Sequence, residues 1–496
     1  MIPLLLSLIV PWVTGFFLVT LCSPPGEAVL ERVVFKGALG AGIGMGVVST
    51  AYFAWGILTV PSDRGFIVVE LLLLAGSALA FWLLRGRRAG TPILPARKER
   101  RPPAPALHWI LAAAFVAVLL VSIGSFTYQS LIRPHGAWDA WAVWDVRAKL
   151  LFRGVQGWMG FFSAAPAEYN PNYPLLVPGV VARSWLYAGV ESVEAPILVA
   201  GFFTFATVGL LVSALSNVRS RMQGWLGGIA LLGTSFFVRH GTSQYADVPL
   251  AFFVLSAAVL CFLYDREENG WGGHLVLAGM ATGMASWTKN EGLLFLAAVI
   301  FTRAAWVAAT RGVREALRQG LPLAAGMAPF VLISLGFKFF LAQPDNWLSQ
   351  QGGEGTMAKV TDLSRYLLIA GSYIREFVLF PVPLAVLYAL LVGIAVPGRE
   401  RRAVAWPAAL LVLMTAGYAF VFLTSPWPLP WLLTNTLSRT SVQLWPAFLF
   451  TMFLLVRPPD PEPATSPGTR KDHDRTANPS KGGRRKGRHS PTGDRR

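Results

Sequence analysis

Apolar residues run through this chain in stretches of about twenty, long enough for a helix to cross the hydrocarbon core of a bilayer. Such stretches lie at 2–22, 38–60, 66–84, 107–128, 196–215, 224–238, 248–264, 273–287, 291–307, 321–342, 376–396, 404–424 and 441–456, with short polar or basic connections between most of them. The pattern predicts an all-α polytopic membrane protein of about 13 transmembrane helices. The first run has no basic residue ahead of it and is long enough to span, so it is read as a helix rather than a cleaved leader. Cys22 follows Leu21, where lipidation would need a small residue.

Composition agrees with the pattern. Hydrophobic residues make up 54% of the 496 and charged ones 14%, which excludes a soluble enzyme with one anchor. The formal net charge of +17 could suggest nucleic acid, but its distribution argues otherwise. Arg85 to Pro103 carries seven Lys/Arg against one Glu, and the tail from Arg457 to Arg496 carries eleven against five Asp/Glu. With the N-terminus placed outside, the tail and the connections on its side hold 30 of the 43 Lys/Arg. Basic short loops are retained in the cytoplasm, so that side is inside, in a cell inner (plasma) membrane protein with a cytoplasmic C-terminus. The tail, 457–496, is rich in Pro, Gly, Ser and Arg and is expected to be disordered. It would meet membrane lipid rather than nucleic acid. Cys22 and Cys261 sit in or beside different apolar runs and offer no disulfide framework.

The unusual polar residues fall on the outer side. The connection at 129–195 is too long to be only a connector. It opens with Trp138-Asp139-Ala140-Trp141-Ala142-Val143-Trp144-Asp145-Val146-Arg147-Ala148-Lys149. On a helical wheel Trp141, Trp144 and Leu151 share a face, the pattern of an amphipathic helix lying at the headgroup level. Asp145 and Lys149 are spaced for an ion pair. Asp139 has no basic residue three or four positions away, which leaves two readings: an N-terminal cap, or a functional carboxylate. Farther on, Glu168-Tyr169-Asn170-Pro171-Asn172-Tyr173-Pro174 cannot be regular helix and is either a plain turn or a fold over a polar cavity. Asp247, ahead of Pro249, is again either a cap or a site residue. Lys289-Asn290-Glu291 joins two apolar runs in a tight turn, where ionisable groups at a membrane edge suggest a site more than a solvated corner. Arg439 precedes the 441–456 run as a snorkelling anchor or a phosphate ligand. One outward cavity holding Asp139, Asp247 and Glu291 with Lys149, Lys289 and Arg439 would suit a substrate with a phosphate to stabilise and a proton to remove.

In their order and sidedness these motifs resemble the GT-C membrane glycosyltransferases, and among them glycosyltransferase family 39, the protein mannosyltransferase and aminoarabinose transferase group. The resemblance covers about residues 107–456. It implies a GT-C-like catalytic core over 107–456 with amphipathic juxtamembrane helices in the outer loop 129–195, preceded by three extra helices and a basic cytoplasmic loop in 1–106. By position Asp139 matches the family's catalytic Asp, a general base toward the acceptor. Tyr173-Pro174-Leu175 matches the Pro-Pro-Leu-like segment, Asp247 the second outer Asp, Thr288-Lys289 the Thr-Lys-Gly turn, and Arg439 the late Arg on the donor phosphate. Asn290 and Glu291 stand where the family has Gly after the Thr-Lys pair, and Ala140 follows Asp139 where the family often has Glu. The implied activity is transfer of a sugar from a polyprenyl-phosphate donor to a protein, lipid or glycan acceptor at the outer face, with inversion. Lys149, Lys289 or Arg439 would neutralise the departing phosphate. No soluble cofactor motif is visible, and a divalent cation is left open. The rival is a polytopic transporter or lipid flippase, since buried charges also line translocation paths; against it, no inverted repeat of broken spans is visible.

Overall fold

The computed structural model describes residues 1–25, 30–85, 106–154, 157–164, 170–267, 270–343, 353–379, 382–398 and 400–458. The tail at 459–496, most of the basic loop at 86–105, and Glu168-Tyr169 lie outside these. The described residues are helical, with one isolated bridge between Ile394 and Val456. They run α1 (Ile2–Cys22), α2 (Leu30–Leu58), α3 (Gly65–Leu84) and α4 (Ala106–Ile132). In the long connection a π-helical turn (Ala140–Asp145) leads into α5 (Val146–Arg153), followed by α6 (Gly160–Ala164) and α7 (Leu176–Ala188). Then come α8 (Glu194–Val218), α9 (Arg221–Gly233), α10 (Ser235–Thr242), α11 (Asp247–Asp265), α12 (Gly272–Thr288), α13 (Asn290–Arg311) and α14 (Val313–Gly336). The last five are α15 (Gly353–Thr361), α16 (Leu363–Leu379), α17 (Val382–Val392), α18 (Arg401–Thr424) and α19 (Leu429–Leu455).

Nine of the described helices are long and apolar enough to cross a membrane: α1–α4, α8, α11, α13, α14 and α18. The chain is thus a polytopic helical membrane protein. The other four expected runs differ for local reasons. The run at 224–238 breaks at Thr234, whose hydroxyl bonds back to the Ala230 carbonyl at 2.8 Å and accepts the Trp445 indole N–H at 3.0 Å. The run at 273–287 is α12, 17 residues long. The run at 376–396 falls on the end of α16 and on α17, with 380–381 outside the described residues. The run at 441–456 is only the second half of the 27-residue α19. Arg439 therefore lies inside a helix, not ahead of one. Its first turns carry Thr434, Asn435, Thr436, Thr440, Ser441 and Gln443, too polar for an apolar scan to include.

α11 is buried along almost its whole length and packs against α8, α12, α18 and α19. It has no lipid-facing side, which is why its sequence is apolar all round. α12 and α14 approach closely because Gly326 has no side chain; a Cβ there would strike the Val276 carbonyl. The three N-terminal helices belong to the same body: α1 and α2 pack against α7 and α12, and α2 also against α8. A fully buried ion pair secures this junction. Arg183 of α7 donates to Glu70 of α3 at 2.6 Å and also reaches the Ser7 carbonyl of α1, while the Ser7 hydroxyl donates to Ser184 at 3.0 Å. Neither residue of the pair stood out in the sequence.

Candidate functional site

Five polar turns and helix ends meet at one end of the bundle. Asp247 opens α11, with Pro249 in its first turn where a missing N–H costs nothing. Its carboxylate does not cap that helix. Oδ1 accepts from Lys289 Nζ at 2.8 Å and from Gln443 Nε2 at 2.5 Å, and Oδ2 accepts from Arg439 Nε at 3.1 Å. Arg439 turns its other nitrogen, Nη2, to Asp139 Oδ2 at 2.8 Å, and Lys289 also bonds Glu291 Oε1 at 2.8 Å. The acids and cations thus alternate in one chain: Asp139, Arg439, Asp247, Lys289, Glu291. Tyr418 of α18 donates to Gln443 Oε1 at 2.6 Å and orients its amide toward Asp247.

Exposure divides these groups. The Asp247 and Lys289 side chains are 0% and 3% exposed, whereas those of Arg439, Asp139 and Glu291 are 17%, 18% and 24%. Asp247 and Lys289 are the buried anchor; the other three can meet a ligand. Burial disfavours the Lys289 ammonium, but the Asp247 and Glu291 carboxylates outweigh that and hold its pKa above the usual value. It remains a fixed cation.

Asp139 arrives at the cluster because the start of the long connection is stitched to the α10–α11 turn. The Gln244 amide donates to the Pro134 carbonyl at 3.0 Å, the Ala137 N–H to the Ser243 carbonyl at 3.2 Å, and Thr242 to Gln129 at 3.2 Å. Gly136 takes the positive φ that this reversal requires. Asp139 occupies the N-cap position of the π-helical turn, yet its side chain makes no capping bond; the carboxylate goes to Arg439 instead. Tyr245 supports both partners. Its hydroxyl accepts the Asp139 N–H at 3.4 Å, and its ring lies 4.6 Å from the Arg439 guanidinium carbon, a cation–π contact.

The π-helical turn also corrects the helical wheel. A π turn adds a residue to each turn, so positions three apart no longer share a face. Trp141 is exposed beside Trp138, with ring centroids 6.0 Å apart, while Trp144 and Leu151 are buried in the protein. Trp144 stacks on Tyr173 at 5.5 Å and 6°, and Arg147 lies against both rings at 5.9 and 6.0 Å. Arg147 also donates to the Val143 and Asn170 carbonyls, fixing the Asn-Pro-Asn-Tyr segment beneath it. Lys149 does not join the cluster. It is exposed on α5 and forms no ion pair with Asp145, which is buried; burial pushes the Asp145 carboxyl up to about 7 despite the opposing Lys149 charge. The cation that the first loop brings toward the site is Arg147.

Tyr173 completes the wall. Burial, with the Glu291 carboxylate adding, pushes its phenol up to about 12, so its hydroxyl stays protonated as a donor. The Lys289–Gly292 turn is tight because Gly292 lies against α12; a Cβ there would collide with the Ala285 carbonyl. Asn290, next in the turn, accepts from Lys338 Nζ at 2.5 Å and reaches Asn172 at 3.5 Å. Among the described residues no group of three or more His, Cys, Asp or Glu side chains is placed to hold a metal ion. Asp139 and Asp247 are bonded instead to the chain's own cations, Arg439 and Lys289.

Sequence reading missed Gln443, Tyr245, Tyr418, Arg147 and Trp144. Two carried a signal: Gln443 lies one helical turn beyond Arg439, and Tyr245 two residues before Asp247. The chain matches no protein-family model, and no curated protein and no solved structure is significantly similar to it.

Proposed function

We propose that this protein is a membrane glycosyltransferase of the GT-C kind, transferring a sugar from a polyprenyl-phosphate donor to an acceptor at the outer face of the plasma membrane. The topology proposed with it has about thirteen spans, the N-terminus outside and the basic tail in the cytoplasm. The observation that supports it best is Arg439 bonded at once to a partly exposed acid, Asp139, and a buried one, Asp247. A phosphate entering beside Arg439 would find a guanidinium already held in place, with Lys289 behind it, and could take over from Asp139 as its anionic partner.

In the proposed displacement Asp139 takes the proton of the acceptor hydroxyl or amine as its oxygen or nitrogen bonds to the anomeric carbon. The bond from that carbon to the donor phosphate breaks on the opposite side, with inversion. The electron pair stays on the phosphate oxygen, which Arg439 and Lys289 stabilise, so no second carboxylic acid is required. Glu291, Asn290 and Tyr173 line the space for the sugar hydroxyls. While Arg439 is bonded to Asp139 it weakens that carboxylate as a base. Donor phosphate competing for Arg439 releases it, so the donor binds before the acceptor reacts.

The test is transfer in membranes supplied with a polyprenyl-phosphate sugar. Asp139→Asn should abolish product while the protein keeps its unfolding midpoint, and undiminished transfer would remove Asp139 from the mechanism. In proteoliposomes, flux of labelled substrate without covalent product would replace the enzyme reading with a transporter.

A further inference from the structure

The helices that bring Asp247 and Lys289 to the site carry a polar cavity at their other ends. It has a volume of about 350 Å3 and lies among α2, α8, the end of α11 and the start of α12. Arg32 and Lys36 of α2, Asn217 of α8, Arg266 and Glu267 after α11, and His274 of α12 line it, with Phe35 and Val218 forming an apolar wall.

Its cations are unevenly neutralised. Arg266 pairs with Glu400 at 3.1 Å, but that carboxylate also holds Arg219 at 2.7 Å. Among the described residues Arg32 and Lys36 have no hydrogen-bond or ion-pair partner, although they sit one helical turn apart, where like charges repel. Arg85, which donates to the Leu21 carbonyl at 2.9 Å, adds a further positive charge near Lys36. Among the described residues Glu267 is the one acid on the wall. His274 is 6% exposed, and its Nδ1 is buried without a partner. A cavity lined by two cations that have no partner among the described residues lacks the anion that would satisfy them.

From this we infer that the cavity binds a phosphate-bearing anion. Its place at the end of a membrane bundle, with an apolar wall beside the cations, suits the headgroup of an anionic phospholipid; a free phosphate would use the same contacts. The inference is independent of the glycosyltransferase reading, because it concerns the opposite end of the bundle.

The experiment uses the full chain in detergent, titrated with phosphatidylglycerol or phosphatidylcholine and followed by native mass spectrometry, and separately titrated with inorganic phosphate. A juxtamembrane cation contributes roughly fivefold to the binding of an anionic headgroup, so R32Q/K36Q should weaken phosphatidylglycerol binding about thirtyfold. R32K/K36R should restore it. R401Q/R402Q, which removes two exposed cations outside the cavity, should leave it within about threefold. Inorganic phosphate binding with the same sensitivity, and no preference for phosphatidylglycerol over phosphatidylcholine, would assign the site to a soluble phosphate and overturn the lipid source. Equal losses in both Gln pairs, or none in R32Q/K36Q, would overturn the site itself. Arg32 is exposed, so R32Q alone is the arm least disturbed by any folding defect.

Discussion

Replacing Asp247 with Asn separates its charge from its shape. The carboxylate accepts on both oxygens: Lys289 and Gln443 at Oδ1, Arg439 at Oδ2. An amide accepts on one. With its oxygen toward Lys289 and Gln443, its NH2 opposes the Arg439 N–H; flipped, it opposes two donors. Stranding a buried cation entirely costs about 3–5 kcal/mol. Here each cation keeps a second carboxylate, Asp139 for Arg439 and Glu291 for Lys289, so the loss should be nearer that of one or two charge-assisted hydrogen bonds, about 2–4 kcal/mol. The assay is reversible unfolding in mixed micelles of the wild type, Asp247→Asn, Lys289→Gln and the double variant. Since both single changes break the same bond, the double variant should be less destabilised than their total by about 1.5–3 kcal/mol. Strict additivity, or an Asp247→Asn protein within about 0.5 kcal/mol of wild type, would refute the view that Asp247 anchors the two cations.

Three further outcomes follow. Gly292→Ala should push α13 away from the Ala285 carbonyl and unsettle the Lys289 contacts; it is expected to lower the unfolding midpoint and transfer together, and unchanged transfer would count against the turn's role. Asp145 has a folded pKa raised to about 7 from an ordinary 3.8, so its protonated form favours the fold at low pH and that contribution is lost as pH rises from about 4 through about 7. Asp145→Asn should flatten this dependence in a pH series of unfolding midpoints, and an identical slope in both proteins would contradict the assignment. Lys149→Gln should leave transfer unaltered whereas Arg147→Gln, by loosening the Asn170 carbonyl and the Trp144–Tyr173 stack, should reduce it at least tenfold; the reverse order would restore the sequence-based choice.

Most of the bundle was legible because lipid demands long apolar helices, and that demand writes itself residue by residue into α1, α3 or α4. The candidate site was legible where a charge stood in the connections between such runs, as at Asp139, Asp247, Lys289 and Arg439. What escaped depended on contacts between distant segments. α19 hid its first half because Arg439 and Gln443 are polar to meet Asp247 and Tyr418, while Thr434 and Asn435 beside them lie on an exposed face. Lys149 was named for the cavity and Arg147 was not, because spacing along the chain does not show that Arg147 turns into the protein while Lys149 is exposed. Glu70 passed unremarked within an apolar span, since its partner is 113 residues away.

That separation has a consequence for biogenesis. A ribosome delivers α3 long before α7, so Glu70 enters the bilayer with no guanidinium to meet it. A lone ionised side chain at the very centre of an inserting helix costs about 2.5–3.5 kcal/mol; Glu70 is the sixth residue of α3, so its penalty is smaller and the strongly apolar remainder of the helix can absorb it during insertion. From then until Arg183 emerges, the nascent chain holds an unmatched acid among its first three spans, and the arrival of α7 is the event that locks them into their final arrangement.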